Sequence, residues 1–316
     1  MAAITLKPLG RTGLTASNIA FGTSSLGGMP KVYGYDVDGE RARATVRAIF
    51  DGPANIIDTS RLYGGGRSEV RIGEIIAERG GLPKGFILAT KLDRDPDTGR
   101  FDGAAARRSL EESLKALGVD RFHILHLHDP EFIKTKDDFV GPTSSTAELM
   151  RMKEEGFADA VGLAAGDVDV MMPLLRDWDF DALLTHNRFT LINRNADDMI
   201  DFAISRGMVV FNAAPFGGGV MAKGTASVQR YAYRDAPAEV LASLKQIEAI
   251  CEKHGVPVGA AALQFSMRDP RINATVIGVT KPERVQQTID WASHPIPDAV
   301  WDELSAVPYS TTNPQA

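Results

Sequence analysis

The chain has 316 residues, 44% hydrophobic and 24% charged, a balance ordinary for a soluble globular enzyme. A net charge of -6 at pH 7 gives no footing for nucleic acid or an anionic membrane surface. The single cysteine, Cys251, rules out an internal disulfide and a cysteine-rich metal site and suits a reducing compartment. The first residues hold no apolar core of signal-peptide length, and no stretch reaches the roughly 20 apolar residues of a membrane span. A cytoplasmic protein, monomer or homodimer, acting on a small molecule is the expectation.

In chain order, I-T-L-K-P-L-G-R-T-G-L-T-A-S predicts a β-hairpin around a glycine-containing turn. Short apolar runs then alternate with amphipathic stretches. The predicted strands are Asn18–Gly22, Asn55–Ile57, Phe86–Thr90, Phe122–Leu127, Ala160–Leu163, Ala182–Leu184, Val209–Asn212 and Thr275–Ile277. Helical patterns lie between them, including Gly39–Phe50, Ser68–Arg79, Gly103–Leu117 and Ser145–Glu155. In the third, Leu110, Leu114 and Leu117 form one apolar stripe at i, i+4 and i+7. Apolar strands without alternation are what a parallel sheet covered by helices requires. Eight such units without a compositional break predict one α/β domain over residues 1–316, a (β/α)8 TIM barrel with an N-terminal hairpin and a short polar C-terminal tail. A doubly wound sheet is the alternative, weakened because F-G-T-S-S-L-G-G lacks the G-x-G-x-x-G spacing. The charged stretch Pro130–Pro142 reads as a mobile surface excursion or a lid.

Barrel enzymes carry their chemistry at the C-terminal ends of the strands. Three consecutive predicted strands end in an ionisable residue: Asp58, Lys91 and His128. A buried, unpaired charge costs several kcal/mol, so packing alone does not explain the series. If the three converge, Asp58 and Lys91 neutralise each other, and Tyr63, five residues after Asp58, leans over the same mouth. Any one of them alone would be read as a surface ion pair, a packing histidine or a loop aromatic. His126 shares the parity of His128 one layer deeper and reads as a packing residue, and His123 faces the helices.

The runs I-I-D-T-S-R-L-Y-G-G-G-R-S-E, A-T-K and L-H-D-P resemble the successive signatures of the aldo-keto reductase family, with similarity extending from L-G-R-T-G-L to V-I-G-V-T-K-P-E-R-V. The resemblance implies a catalytic tetrad of Asp58, Tyr63, Lys91 and His128. In that reading Tyr63 hands a proton to, or takes it from, the substrate oxygen, Lys91 favours its phenolate, Asp58 holds Lys91, and His128 orients the oxygen. Tyr63, His128 and Ser24, which stands where the family often has a tryptophan, would meet the substrate.

The cofactor implied is a nicotinamide dinucleotide, NAD or NADP. Its contacts would include Gly22, Thr23 and Asp58. The glycine-rich segment with Pro215, Phe216, Gly217 and Gly219 would lie over the pyrophosphate, where glycines allow close backbone approach. Gly278, Thr280, Arg284 and Gln287 would hold the adenosine end. Gly278 and Val279 stand where many NADPH-using members carry Lys and Ser or Thr, so NAD is expected to be preferred, while Arg284, which matches a family arginine, and the nearby Lys281 leave 2′-phosphate binding open. Ala164-Ala165 and Ala213 replace the usual nicotinamide contacts, leaving Asn187, His186 or Asn212 for the amide. The spelling is nearest to a branch oxidising sugars and related hydroxy compounds, which includes D-threo-aldose 1-dehydrogenases, L-fucose and L-galactose dehydrogenases and pyridoxal 4-dehydrogenase. A small polyhydroxylated substrate is expected. The alternatives are a general NADPH-dependent carbonyl reductase, a non-catalytic cofactor-binding subunit on the same fold, and a metal-dependent hydrolase built on Asp58 and His128. No metal is expected, because the strand ends show no cluster of His and carboxylate ligands.

Overall fold

The computed structural model describes residues 4–133 and 135–315. Eight parallel strands close into a barrel: β3 (Ile19–Gly22), β4 (Ile56–Asp58), β5 (Ile87–Leu92), β6 (Phe122–His128), β7 (Ala158–Ala165), β8 (Ala182–His186), β9 (Val209–Ala213) and β12 (Ala274–Gly278), with β12 pairing to both β9 and β3. The closure excludes the doubly wound alternative. Each strand lies within a few residues of its predicted bounds. Two further pairs lie outside the barrel, β1 (Leu6–Pro8) with β2 (Thr15–Ser17) and β10 (Arg230–Tyr231) with β11 (Arg234–Asp235).

Strand parity divides the apolar residues. Ala20, Ile56, Ile87, Ala89, Ile124, Ala160, Ala182, Val209, Phe211 and Val276 pack together inside the barrel, while Leu125, Leu127, Val161 and Leu183 pack outward with the helices. Leu9 and Ala16 of the hairpin join the inner cluster, so the predicted hairpin plugs one end of the barrel. Helix starts are fixed locally: Asp38 accepts from Arg41 N at 2.8 Å, Asp102 from Ala105 N at 2.9 Å and Ser144 from Ala147 N at 3.2 Å. The helices Gly39–Phe50, Arg67–Glu78, Gly103–Leu117 and Ser145–Glu154 follow the predicted stripes.

The described residues 135–142 lie beside the loop that follows β5. They carry a short helix, Asp137–Val140, and the buried Asp138 accepts a hydrogen bond from Phe101 N at 3.1 Å and pairs with Arg100 at 2.9 Å. An apolar anchor, Phe139, is buried beside it.

Glu69, on the helix Arg67–Glu78, is fully buried, accepting from Thr90 Oγ1 at 2.6 Å and Ser113 Oγ at 3.0 Å. Burial outweighs these two hydroxyls and pushes its carboxyl up to about 7. A raised carboxyl holds its proton in the folded state, so its contribution to stability is complete below the ordinary value of 4.5 and is lost as pH rises through about 7. Denaturant midpoints measured near pH 5 and pH 8 are therefore expected to differ more for the wild type than for Glu69→Gln, by up to about 3 kcal/mol in unfolding free energy. Equal pH dependence in the two proteins would contradict this.

Candidate active site

The C-terminal strand ends open into a cleft of about 340 Å³, lined among others by Gly22, Thr23, Ser24, Asp58, Tyr63, Lys91, His128, Phe216, Gly219 and Gly278. Asp58 and Lys91, at the tips of neighbouring β4 and β5, are both buried. Lys91 Nζ donates to Asp58 Oδ1 at 2.6 Å and to Thr59 O at 2.7 Å. Tyr63 comes from the loop leaving β4. That loop meets the first barrel loop at the backbone: Gly64 has φ +66°, and a Cβ there would stand 2.1 Å from Gly27 O, which explains the glycine after the tyrosine. Lys91 Nζ lies 4.9 Å from the Tyr63 ring centroid, and the His128 ring meets Tyr63 edge-on at 5.7 Å. Four side chains picked from the sequence thus line one cavity.

The electrostatics differ from expectation at Tyr63. Burial, then the negative charge of Asp58, pushes the phenol well above its usual 10.0. Lys91 turns two of its three N–H donors to Asp58 and Thr59, and its charge still stands 4.9 Å from the Tyr63 ring. The phenol is a proton donor at rest.

A residue the sequence reading missed completes the set. Asp93, two positions after Lys91 and of the same strand parity, is buried, and its Oδ1 lies 2.5 Å from His128 Nδ1. Its Oδ2 accepts from Ser60 Oγ at 2.6 Å and Leu62 N at 2.9 Å. Although burial works against the charge, His128 and these two donors hold Asp93 below the ordinary carboxylate range. Burial likewise opposes protonation of His128, but Asp129 and Asp93 outweigh it and raise the imidazole above 6.5. His126 packs edge-on against Phe211 at 6.2 Å, and burial, then Lys91, lowers it to about 3, in keeping with a packing role. His123 Nδ1 accepts from Leu88 N at 3.2 Å, across to β5.

Other residues gather at the rim. Ser24 lines the cleft, but its Oγ is 2.5 Å from Tyr33 Oη, so an aromatic side chain occupies the space beside it. Tyr33 stacks on Tyr35 at 5.7 Å and meets Tyr233 edge-on at 6.1 Å. Tyr233 sits at φ +72° and Ala232 at φ +46° in the turn between β10 and β11, a conformation that no glycine or asparagine announces in the sequence. Asp129, Glu131 and His186 bring ligand-type atoms within 4.8 Å of one another, a grouping the strand-end reading did not foresee. Burial, then Arg188, lowers His186 to about 3.

The cofactor candidates divide. Gly22, Thr23, Asp58, Phe216, Gly219 and Gly278 line the cleft. Pro215, Gly217, Asn187, Thr280, Arg284 and Gln287 lie outside that lining. Asn187 is buried with φ +60°, and its Nδ2 lies 3.2 Å from His186 Nδ1 while its Oδ1 has no partner. Asn212 gives its amide to Phe189 O and Ser266 Oγ on the helix side of β9. Arg284 donates to Gln287 Oε1. The trough fits a dinucleotide by two tests. Asp58 Oδ2 is a buried acceptor without a partner, and a Cβ on Gly278 would meet nothing within 4 Å.

A profile of the Aldo/keto reductase family matches residues 18–308. The chain belongs to that family. It is an NAD(P)-dependent oxidoreductase acting on CH–OH or C=O groups of small molecules. Curated relatives include pyridoxal 4-dehydrogenase of Microbacterium luteolum, 28% identical over 94% of this chain and 96% of that one. D-threo-aldose 1-dehydrogenase of a Pseudomonas species is 28% identical over 93% and 94%. L-galactose dehydrogenase of Arabidopsis thaliana is 29% identical over 92% and 88%. These are the enzymes of the branch that the sequence resembles. Among solved structures, an aldo-keto reductase of Bacillus halodurans superposes with a TM-score of 0.76 at 18% identity, covering 98% of this chain and 97% of that one, a likeness of fold. No helix among the described residues is long and apolar enough to cross a membrane.

Proposed function

We propose that the chain is an NAD-preferring dehydrogenase that interconverts a small polyhydroxylated alcohol and its carbonyl product, with Tyr63, Lys91, Asp58 and His128 as its catalytic set. The observation that carries this reading is the convergence of a phenol, a buried Lys91–Asp58 pair and a carboxylate-backed imidazole on one glycine-lined trough. The nicotinamide, when bound, accepts or gives the hydride. Gly22, Phe216, Gly219 and Gly278 would line its bed, and the free Oδ2 of Asp58 offers an acceptor to a hydroxyl of the cofactor. On reduction Tyr63 gives its proton to the substrate oxygen and is left as phenolate; on oxidation it first loses its resting proton to solvent, and the phenolate then takes the proton of the substrate hydroxyl. Lys91, fixed by Asp58, lowers the cost of the negative charge that Tyr63 bears between those events.

The substrate side combines aromatic faces from Tyr33 and Tyr35 with acceptors on Asp129 and His186. Faces that cover ring carbons, beside groups that accept hydroxyl hydrogens, suit a hydroxylated ring better than an unsubstituted aliphatic ketone. The NAD preference rests on Gly278 and Val279, which supply no cation for a 2′-phosphate. Losing one Lys–phosphate contact is worth roughly 1 kcal/mol or more, so kcat/KM with NAD should exceed that with NADP about fivefold or more. A panel of aldoses, cyclic polyols and aromatic alcohols with both cofactors, followed by absorbance of the reduced nicotinamide, tests the reading. Preference for NADP would assign Arg284 and Lys281 to the phosphate. Turnover restricted to simple ketones would overturn the substrate class.

A further inference from the structure

The contacts of Asp93 reach three parts of the site at once. It follows Lys91 on the end of β5, it takes two hydrogen bonds from Ser60 and Leu62 on the loop that delivers Tyr63, and it touches His128 on β6. Its own backbone N–H donates to Ser109 Oγ at 2.9 Å, which anchors it to the helix Gly103–Leu117. An ionised carboxylate only accepts, so the 2.5 Å contact requires a proton on His128 Nδ1. That fixes the chemistry of the other nitrogen. In the neutral ring Nε2 carries a lone pair, which would face a carbonyl oxygen lone pair to lone pair and could only accept from an alcohol. Only the doubly protonated ring can donate from Nε2.

We propose that Asp93 is a positioning residue for the reaction: it pins the ring and the Nδ1 proton of His128, so that the working form of His128 is the imidazolium, donating from Nε2 to the substrate oxygen. This deepens the reading of the site given above and rests on it. The charge has a physical purpose, because the oxygen is most negative midway between carbonyl and alcohol, where a cationic donor stabilises it most. The groups that face His128 are Lys91 from β5 and Asp93 just past its end, Tyr63 from the β4 loop, His126 and Asp129 from its own segment, and His186 from β8. Asp129 Oδ2 lies 3.6 Å from Nε2, so both nitrogens look toward carboxylates, while Lys91 opposes the charge. His126 and His186 stay neutral near pH 7, because burial holds both at about 3.

The test is the titration of the His128 ring followed by nuclear magnetic resonance of labelled histidine, its signals among the six histidines identified by their loss in His128→Gln. In the wild type both ring nitrogens are expected to carry protons at neutral pH and to titrate above 6.5. Asp93→Asn should lower that titration by about one unit or more. The alkaline limb of the kcat profile should move down by the same amount in both reaction directions, with cofactor binding unchanged. A wild-type ring that is neutral at pH 7 overturns the proposal without any variant, even if Asp93→Asn fails to fold. An unmoved titration in Asp93→Asn overturns it as well. A moved titration with an unmoved kcat limb overturns something different, the placement of His128 at the reacting oxygen.

Discussion

Replacing Tyr63 by Phe is expected to reduce turnover about 100- to 10,000-fold in both directions while leaving the cofactor dissociation constant within about twofold of the wild type. The substitution removes one oxygen and keeps the ring that meets His128 edge-on and lies 4.9 Å from Lys91 Nζ. Packing at the crossing of Gly27 and Gly64 is untouched, so a fall in kcat cannot be assigned to a displaced loop. The size of the effect follows from the role. A reaction that must add or remove a proton at a shielded oxygen has to find another donor, and water enters a partly enclosed cleft poorly. Burial holds this phenol protonated, so the reductive direction has its acid in place from the start. Steady-state kinetics together with a cofactor titration check both halves, and near-wild-type turnover would remove Tyr63 from the reaction.

The second large effect concerns Lys91. Its side chain is 1% exposed and Asp58 is 7% exposed, so Lys91→Met leaves a carboxylate in a dry site with no cation. One of its oxygens, Oδ2, already lacks a partner. Breaking a buried pair on one side costs about 3–5 kcal/mol, because the remaining charge must be dehydrated without compensation. The expectation is a large fall in the denaturant midpoint together with loss of activity. The double variant Lys91→Met, Asp58→Asn separates the two consequences, since it removes both charges and should recover most of the stability while staying inactive. Recovery of activity in the double variant would mean that the pair serves folding alone.

Much of the architecture can be read from the chain because a barrel imposes the same demand eight times. Each strand needs a short apolar run with both faces covered, and amphipathic helices lie between the runs, some with a side-chain cap, as at Asp38 and Asp102. The ionisable residues at the tips of β4, β5 and β6 stand out because an apolar strand has no other reason to end on a charge. Asp93 was within reach of the same argument. It shares parity with Lys91 two residues earlier, but lies one residue past the end of β5, where a polar side chain looks like ordinary loop.

The rim was much less legible. Tyr233 reaches the cleft through a turn whose two central residues, Ala232 and Tyr233, both have positive φ, a choice that local propensity disfavours and tertiary packing enforces. Tyr33 and Tyr35 sit in a loop without periodicity, and their stacking is a product of the closed barrel rather than of their neighbours in sequence. The upward shift of the Tyr63 phenol has a related origin. Residue types predict that a lysine lies near, but the hydrogen bonds it has already made depend on where Asp58 and Thr59 O stand.

The central claim is that these side chains surround one reacting oxygen beside a nicotinamide. A crystal structure with oxidised cofactor and a slowly reacting or unreactive polyol tests it most directly. The account predicts the nicotinamide ring in the trough between Asp58 and Gly278, and one substrate oxygen within about 3.2 Å of both Tyr63 Oη and His128 Nε2. A substrate oxygen that contacts neither group, or a nicotinamide ring bound away from Tyr63, would contradict it.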